Sequence, residues 1–259
     1  MSSLSIGSIK KSLKTDWLGR DLQVLRTTSS TNSDAESLGR KGGKHGLIVL
    51  ADSQTRGRGR FQRVWFSPPD VNLYFSMLLF PEKSSFKIPE ITLVAAVSLH
   101  EAIKSVVPSE EIGIKWPNDI LCNGKKVAGI LSEFHQLSGS RPFVVVGIGL
   151  NVNSRQFPDD LQNIATSLAI EGGEDLPRED LFSSICYRFE KWYEEWDFSG
   201  LESITSYWIK NSGMMGKSVK AQGNKGIVLG LSDSGALLMK DISGAIIEVN
   251  SGEIEVIGD

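Results

Sequence analysis

Up to Asn151 the chain alternates short, continuous apolar runs with polar stretches punctuated by glycine and proline. Leu47 to Ala51, Asn72 to Phe80 and Phe143 to Leu150 are rich in apolar, β-branched and aromatic residues and are flanked by turn formers, so each predicts a strand. Trp17 to Leu25 predicts a strand ahead of them. Gly113 to Glu133 reads as strand, turn, strand, with Pro117, Asn118 and Asp119 breaking the first run and Asn123-Gly124 making a hairpin turn. Two helices interleave. Ser33 with Glu36 fits a capping box for one that Gly42-Gly43 closes. Pro89 opens the other, Leu93, Val94, Ala96, Val97, Ala102, Ile103 and Val106 form its apolar face, and Pro108 ends it.

After Asn151 the period becomes helical. Leu161, Ile164, Ala165 and Leu168 predict a short helix; Leu181, Phe182, Ile185, Phe189, Trp192 and Trp196 predict a longer one, with Leu201, Ile204, Tyr207 and Trp208 behind it. From Gly213 the pattern changes to short strands cut by Gln222-Gly223-Asn224, Asp233-Ser234-Gly235, Ser243-Gly244 and Asn250-Ser251-Gly252, which is the pattern of a small barrel. The expected fold class is therefore α+β. Residues 1–15 are an N-terminal segment, weakly structured apart from a turn at Ile6, Ile9 and Leu13; residues 16–212 form a mixed sheet with helices packed on it; residues 213–259 form the barrel.

Composition narrows the function. A net charge of −3 over 259 residues gives no general basic field, which argues against a nucleic-acid binder. Cys122 and Cys186 fit neither a disulfide framework nor a metal spacing, and His45, His100 and His135 are scattered, so a reducing cytoplasm is the expected location. No apolar run is long enough to span a bilayer, and the start does not resemble a signal peptide.

The informative exception to the even charge is the loop Gln54 to Ser67, which carries Arg56, Arg58, Arg60 and Arg63 together with Gly57 and Gly59. Guanidinium forks pair bidentately with carboxylate or phosphate, and glycine lets a backbone approach a ligand closely. A solvated basic loop or an arginine-glycine nucleic-acid segment would have the same composition, but the apolar strand directly behind Trp65 and Phe66 hangs this loop from a sheet. Ser29 to Ser33 reads either as helix capping or as hydroxyls and an amide facing a polar ligand. Lys126 borders the apolar run Val127 to Leu131, where an ammonium calls for an anionic partner. Gly147 and Gly149 lie inside a strand pattern with Val152 where a dinucleotide fingerprint needs its third glycine, so their use is close approach to a flat ligand, with the Asn151 amide at its end.

In order and spacing, Ser29-Ser30-Thr31-Asn32, Gln54 with Gly57 to Arg60, Trp65 to Pro68, Lys115 to Asp119, Lys126 to Leu131 and Gly147 to Asn151 resemble the successive motifs of the biotin protein ligases, from about Trp17 to the C-terminus. The resemblance implies the fold shared by biotin and lipoate ligases and related to class II synthetases, followed by an SH3-like domain. It implies ATP-dependent conversion of biotin to biotinyl-5′-AMP, then transfer to a lysine of a biotin carboxyl carrier protein of acetyl-CoA carboxylase or a related enzyme. Biotin and ATP are the substrates, with Mg²⁺ accompanying ATP. The substrate carboxylate is the nucleophile, so no catalytic triad is needed.

Carried over residue by residue, Lys126 and Arg60 are the catalytic cations. Ser30, Thr31, Asn32, Gln54, Arg58, Gly59, Arg60, Lys126, Gly129, Gly147 and Gly149 are the implied biotin site. Arg58, Arg60, Arg63, Trp65, Asn118, Lys126 and Asn151 are the implied ATP site, with Trp65 against the adenine. Asp119 is implied to position either Mg²⁺ or Lys126. The arginine loop is expected to order on binding. The resemblance further implies a monofunctional form, because the residues ahead of Trp17 leave no room for the family's N-terminal DNA-binding module; it leaves room for a homodimer and implies neither a nucleic-acid nor a membrane partner. Gln62 departs from the glycine frequent in the family's loop. The rival readings are a lipoate or octanoate protein ligase, related in fold and chemistry, and a nucleic-acid module using the arginines.

Overall fold

The computed structural model describes residues 3–82, 88–107, 111–136 and 141–257. Seven strands form one mixed sheet in the order β1-β2-β3-β7-β6-β5-β4: Leu22–Leu25 (β1), Leu47–Ala51 (β2), Leu73–Leu79 (β3), Ile112–Lys115 (β4), Asp119–Cys122 (β5), Lys125–His135 (β6) and Phe143–Leu150 (β7). Only β1 and β2 run parallel; the remaining pairs are antiparallel. β2 and β3 are buried along their whole length, as unbroken apolar runs require. The expected strand from Trp17 shortens to β1 because the backbone N–H groups of Asp16, Trp17 and Leu18 all donate to the buried Glu190 carboxylate, at 2.7 to 2.9 Å, in place of a neighbouring strand.

The two faces of the sheet are covered unequally. On one face Ile88–Lys104 (α3) and Arg178–Ser199 (α5) pack across the strands, and Phe75, Val146, Ile148, Leu150, Phe182, Phe189 and Trp196 belong to a single apolar core. Phe75 meets Phe182 edge-on at 5.1 Å, a favourable aromatic geometry. The aromatic stripe of α5 is thus core, as its spacing predicts, and Glu202–Asn211 (α6) buries Ile204 and Trp208 behind it. Pro108, expected to end α3, lies outside the described residues. On the other face only Thr31–Arg40 (α2) is laid down, over a small cluster of Ala35, Leu47, Val49, Leu78, Phe143 and Val145. The rest of that face forms the floor of a cleft.

The chain ends depart from the expected pattern in two places. Ile6–Ser12 is a helix (α1) that buries Ile9, with Ser5 capping its start, so the N-terminal segment is more regular than its composition suggests. Its start is held by Asp52, which accepts from the Leu4 N–H and pairs with the buried Arg178 at 3.0 Å. The short helix expected around Leu161 does not form: residues 159–164 are turns, and the helix in this region, Leu168–Gly172 (α4), starts later under a Ser167 cap.

The C-terminal residues make a second, all-antiparallel sheet in the order β11-β10-β9-β8-β12, from Ser218–Ala221 (β8), Asn224–Leu231 (β9), Leu237–Asp241 (β10), Ile246–Val249 (β11) and Ile254–Val256 (β12). The buried Trp116 indole donates to the Gly235 carbonyl at 3.1 Å, and a side chain at Gly113 would collide with the Gly213 backbone. These contacts bring the β8–β9 turn and Gly252-Glu253 to the mouth of the cleft. Among the described residues no helix is long and apolar enough to cross a membrane.

Candidate active site

The cleft has a volume of about 640 Å³, and every residue that the sequence nominates for biotin, ATP or metal lies along it. Its floor is formed by the cleft-facing residues of β6 and β7, beside the buried β3. Gly129 pairs with Gly149 across β6 and β7, and the Trp65 indole lies directly over both. A side chain at Gly149 would drive into that indole, and one at Gly147 into the Asn32 amide, so both positions must stay bare. Trp65 therefore sits at the glycine floor beside Lys126, whose ammonium is 5.3 Å from its ring centroid. Its indole N–H is buried without a partner.

One end of the cleft is a polar, buried pocket. Helix α2 starts at Thr31 with Ser30 as N-cap, one turn earlier than the Ser33–Glu36 box predicts; Glu36 pairs with Arg40 and faces His135. Ser30 makes no capping bond through its hydroxyl, and Ser30, Thr31 and Asn32 are all buried. The Thr31 N–H and hydroxyl donate to Gln54 Oε1 at 2.9 and 3.2 Å, and Gln54 Nε2 donates to Ser67. Ser76, which the motif reading missed, places its Oγ 2.7 Å from Thr31 Oγ1 and 2.6 Å from Asn32 Oδ1 from the floor of β3. This cluster presents donors and acceptors in a fixed array next to an apolar slot.

The arginine loop closes the top. Gly59 N–H donates to the Arg63 carbonyl and Trp65 N–H to that of Gly57, which makes a narrow hairpin. Gly57 has no room for a side chain beside the Trp65 carbonyl and Ser67, whereas Gly59 has space, so only the first glycine is imposed by the protein itself. At the tip Phe61 and Gln62 adopt φ of 55° and 61°. Left-handed backbone at Gln62 explains why a glycine is frequent at that position of the resembled motif.

The cations of the cleft differ in their partners. Arg58 pairs with Glu133, Arg63 with Glu253 of the small sheet at 2.5 Å, and Lys126 Nζ with Asp119 Oδ1 at 2.6 Å. Arg60 instead donates to neutral oxygens, Asn118 Oδ1 at 3.0 Å and the Gly252 carbonyl at 3.1 Å. Burial lowers its guanidinium from the ordinary value, against the raising influence of Asp119 and Glu253. Arg58, Arg60, Arg63, Lys115, Lys126 and Lys220 line the cleft against Asp119, Glu253 and Glu255, so its lining is net cationic and suits an anion. Asn118 donates its amide to the Ile130 carbonyl, and Asn151 donates its own to that of Thr166, so each amide also braces the wall it lines.

Sequence reasoning missed the side wall of Phe157, Leu161, Ile164 and Ala165 and the contribution of the small sheet through Lys220, Gln222 and Glu253. The side wall is stitched to β6 at Lys126, whose N–H donates to the Ile164 carbonyl while Thr166 N–H returns to the Lys126 carbonyl. For magnesium, among the described residues no group of three His, Cys, Asp or Glu could hold an ion. Asp119 is engaged by Lys126, which fits a cation that arrives on a polyphosphate better than one caged by protein. His100 is a satisfied packing residue, with Nδ1 3.0 Å from the Tyr207 hydroxyl and Nε2 3.2 Å from the Ile112 carbonyl.

Comparison with known proteins follows the same lines. The family model described as the biotin/lipoate A/B protein ligase family matches residues 24–153. The chain is 37% identical over 259 residues to the bifunctional ligase/repressor BirA of Bacillus subtilis (strain 168), covering 98% of this chain and 79% of that one. It is 34% identical over 232 residues to the biotin--[acetyl-CoA-carboxylase] ligase of Paracoccus denitrificans, covering 85% and 95%. The solved biotin protein ligase from Aquifex aeolicus in complex with biotin and ATP superposes with a TM-score of 0.81 at 30% identity, over 93% of this chain and all of that one.

Proposed function

The chain belongs to the biotin/lipoate A/B protein ligase family, and we propose that the cleft carries out both half-reactions of biotin protein ligation by dividing the work among its pocket, floor and roof. The protein is a biotin protein ligase: it activates biotin with ATP to biotinyl-5′-AMP and transfers the biotinyl group to a carrier-protein lysine. The observation that supports this assignment of residues is the convergence of a bare glycine floor, a buried polar pocket and a cationic roof in one cleft.

In the first half-reaction a biotin carboxylate oxygen attacks the α-phosphorus of ATP, the bond to the bridging oxygen of the β-phosphate breaks, and pyrophosphate leaves. Two anions must be held in contact for this, and the uncatalysed penalty is their repulsion and disorder. Ser30, Thr31, Asn32 and Gln54 hold the ureido end, and Gly129, Gly147 and Gly149 admit the fused rings. Arg60 and Lys126 lie where carboxylate and α-phosphate meet. Arg60 meets them with no ion pair of its own among the described residues, whereas Lys126 exchanges Asp119 for substrate oxygen. Arg58, Arg63, Trp65, Asn118 and Asn151 border the nucleotide. Asp119 would help position the Mg²⁺ that accompanies ATP, an ion that would supply neutralisation of phosphate charge.

In the second half-reaction a carrier lysine amine attacks the carbonyl carbon of the mixed anhydride. A C–N bond forms, the acyl C–O bond breaks, AMP leaves and the amine proton passes to solvent. The same cations stabilise the oxyanion and the departing phosphate. The acceptor is the biotin carboxyl carrier domain of acetyl-CoA carboxylase or a related enzyme. Cytoplasmic operation is supported by Cys122 and Cys186, both buried and unbridged.

The test is the intact mass of a biotin carrier domain incubated with the protein, MgATP and equal biotin and lipoate. A biotinyl adduct is expected; a lipoyl adduct would move the specificity to the sister activity, and no adduct with no pyrophosphate would remove the ligase assignment.

A further inference from the structure

The alternation of β6 places Gly129, Leu131 and Glu133 opposite Gly149, Gly147 and Val145, on the face that carries the cleft. Glu133 stands one step beyond the cleft proper and divides its carboxylate between two elements. Oε2 accepts from Asn32 Nδ2 at 2.7 Å, at the start of α2. Oε1 pairs with Arg58 in the arginine loop, with the Arg58 and Glu133 side chains 40% and 20% exposed. Asn32 cannot shift alone: its Nδ2 also reaches the Leu131 carbonyl at 3.3 Å, its Oδ1 is 2.6 Å from Ser76 Oγ, and its amide abuts Gly147. The carboxylate thus joins the floor and pocket where the biotin head would lie to the loop that would cover its carboxyl end.

We infer that Glu133 is a positioning residue that couples occupancy of the biotin head-group pocket to closure of the arginine loop, an inference that rests on the ligase reading. A ligand hydrogen-bonded to the pocket wall of Ser30, Thr31 and Asn32 fixes the Asn32 amide, which fixes one carboxylate oxygen and so orients the other toward Arg58. Charge-assisted hydrogen bonds of this kind are the strong ones, and Arg58 has no other carboxylate partner among the described residues. The coupling is carried by a contiguous chain of contacts from Asn32 through Glu133 to the arginine loop.

The test compares wild type with Glu133→Gln, which keeps the shape and an acceptor for Asn32 but removes the charge that holds Arg58. Trypsin cleavage at the loop arginines is followed with no ligand, with biotin, and with biotin plus MgATP, alongside separate KM values for biotin and ATP. Biotin is expected to protect the loop in wild type and not in Glu133→Gln, and the variant's KM for ATP at saturating biotin is expected to rise roughly tenfold, the value of one lost charge-assisted bond. Arg58→Gln removes the same contact together with any direct contact of Arg58 to substrate, so the double variant is expected to be no worse than Arg58→Gln alone. Equal protection by biotin in wild type and variant, or additive effects in the double variant, would overturn the coupling. A wild-type protein that forms no biotinyl-5′-AMP would count against the ligase reading itself.

Discussion

Lys126 Nζ lies 2.6 Å from Asp119 Oδ1, on adjacent antiparallel strands, and this pair sets the cation beneath the arginine loop. The side chains are 33% and 21% exposed, so the pair is partly shielded and directional rather than a solvated surface contact. Asp119 aims the ammonium into the cleft, and in the proposed reaction it gives way as carboxylate and phosphate oxygens approach.

Lys126→Ala is accordingly expected to slow formation of biotinyl-5′-AMP by about a hundredfold or more, the scale for removing a fixed charge from a developing one. Pyrophosphate release measures this. Asp119→Asn is expected to retain far more activity than Lys126→Ala, and an equal loss in both would mean that the carboxylate has a role of its own beyond positioning the lysine.

Gly147→Ala and Gly149→Ala push a methyl group into Asn32 and Trp65 respectively. The displaced side chains shape the cleft, and biotin affinity is expected to fall roughly tenfold or more, at least about 1.4 kcal/mol. Gly59→Ala, where space exists, is expected to leave biotin binding much closer to wild type. Calorimetric titration with biotin distinguishes the three, and a Gly59→Ala loss as large as the others would mean that the ligand, not the protein, requires that glycine.

Gln62 carries a left-handed backbone at φ 61° in a loop tip. A non-glycine residue there costs about 1–2 kcal/mol in strain, while glycine costs about 0.4–1 kcal/mol through the unfolded chain. Gln62→Gly is expected to leave the unfolding midpoint unchanged or raise it by up to a few degrees; a clear fall would show that the Gln62 side chain makes a stabilising contact.

Burial holds His100 below the ordinary histidine value, against a smaller upward pull from the Ile112 carbonyl, and burial lowers His45 in the same direction. A depressed folded value means that the native state favours the neutral ring. The stabilisation is complete above the unfolded value of about 6.5 and is lost as the pH falls through it. Thermal unfolding between pH 7.5 and 5 is expected to show a falling midpoint, with a shallower slope in His100→Gln. A midpoint that rises on acidification would contradict this.

Most of the cleft was legible in sequence because its demands are local. Arg58 and Arg60 declare themselves by charge density, and Gly147 and Gly149 by interrupting a strand. Leu161 and Ile164 misled because their helical spacing is real, but hydrogen bonds to Lys126 hold the segment as turns along the cleft. Ser33 and Glu36 fit a cap, yet burial of Ser30 to Asn32 starts the helix earlier. Lys220 and Glu253 carried no signal, since their place depends on docking a second sheet through contacts such as Trp116 to Gly235.

The unequal covering of the sheet has a genetic corollary. Along β7, Val144, Val146, Ile148 and Leu150 point into the core under α3 and α5, while Val145, Gly147 and Gly149 point toward α2 and the cleft. Residue parity on this strand thus sorts lesions into two phenotypes. Changes at even-numbered positions act through the apolar core and so through the amount of folded protein, whereas changes at Gly147 and Gly149 act also on the cleft itself and show in substrate binding.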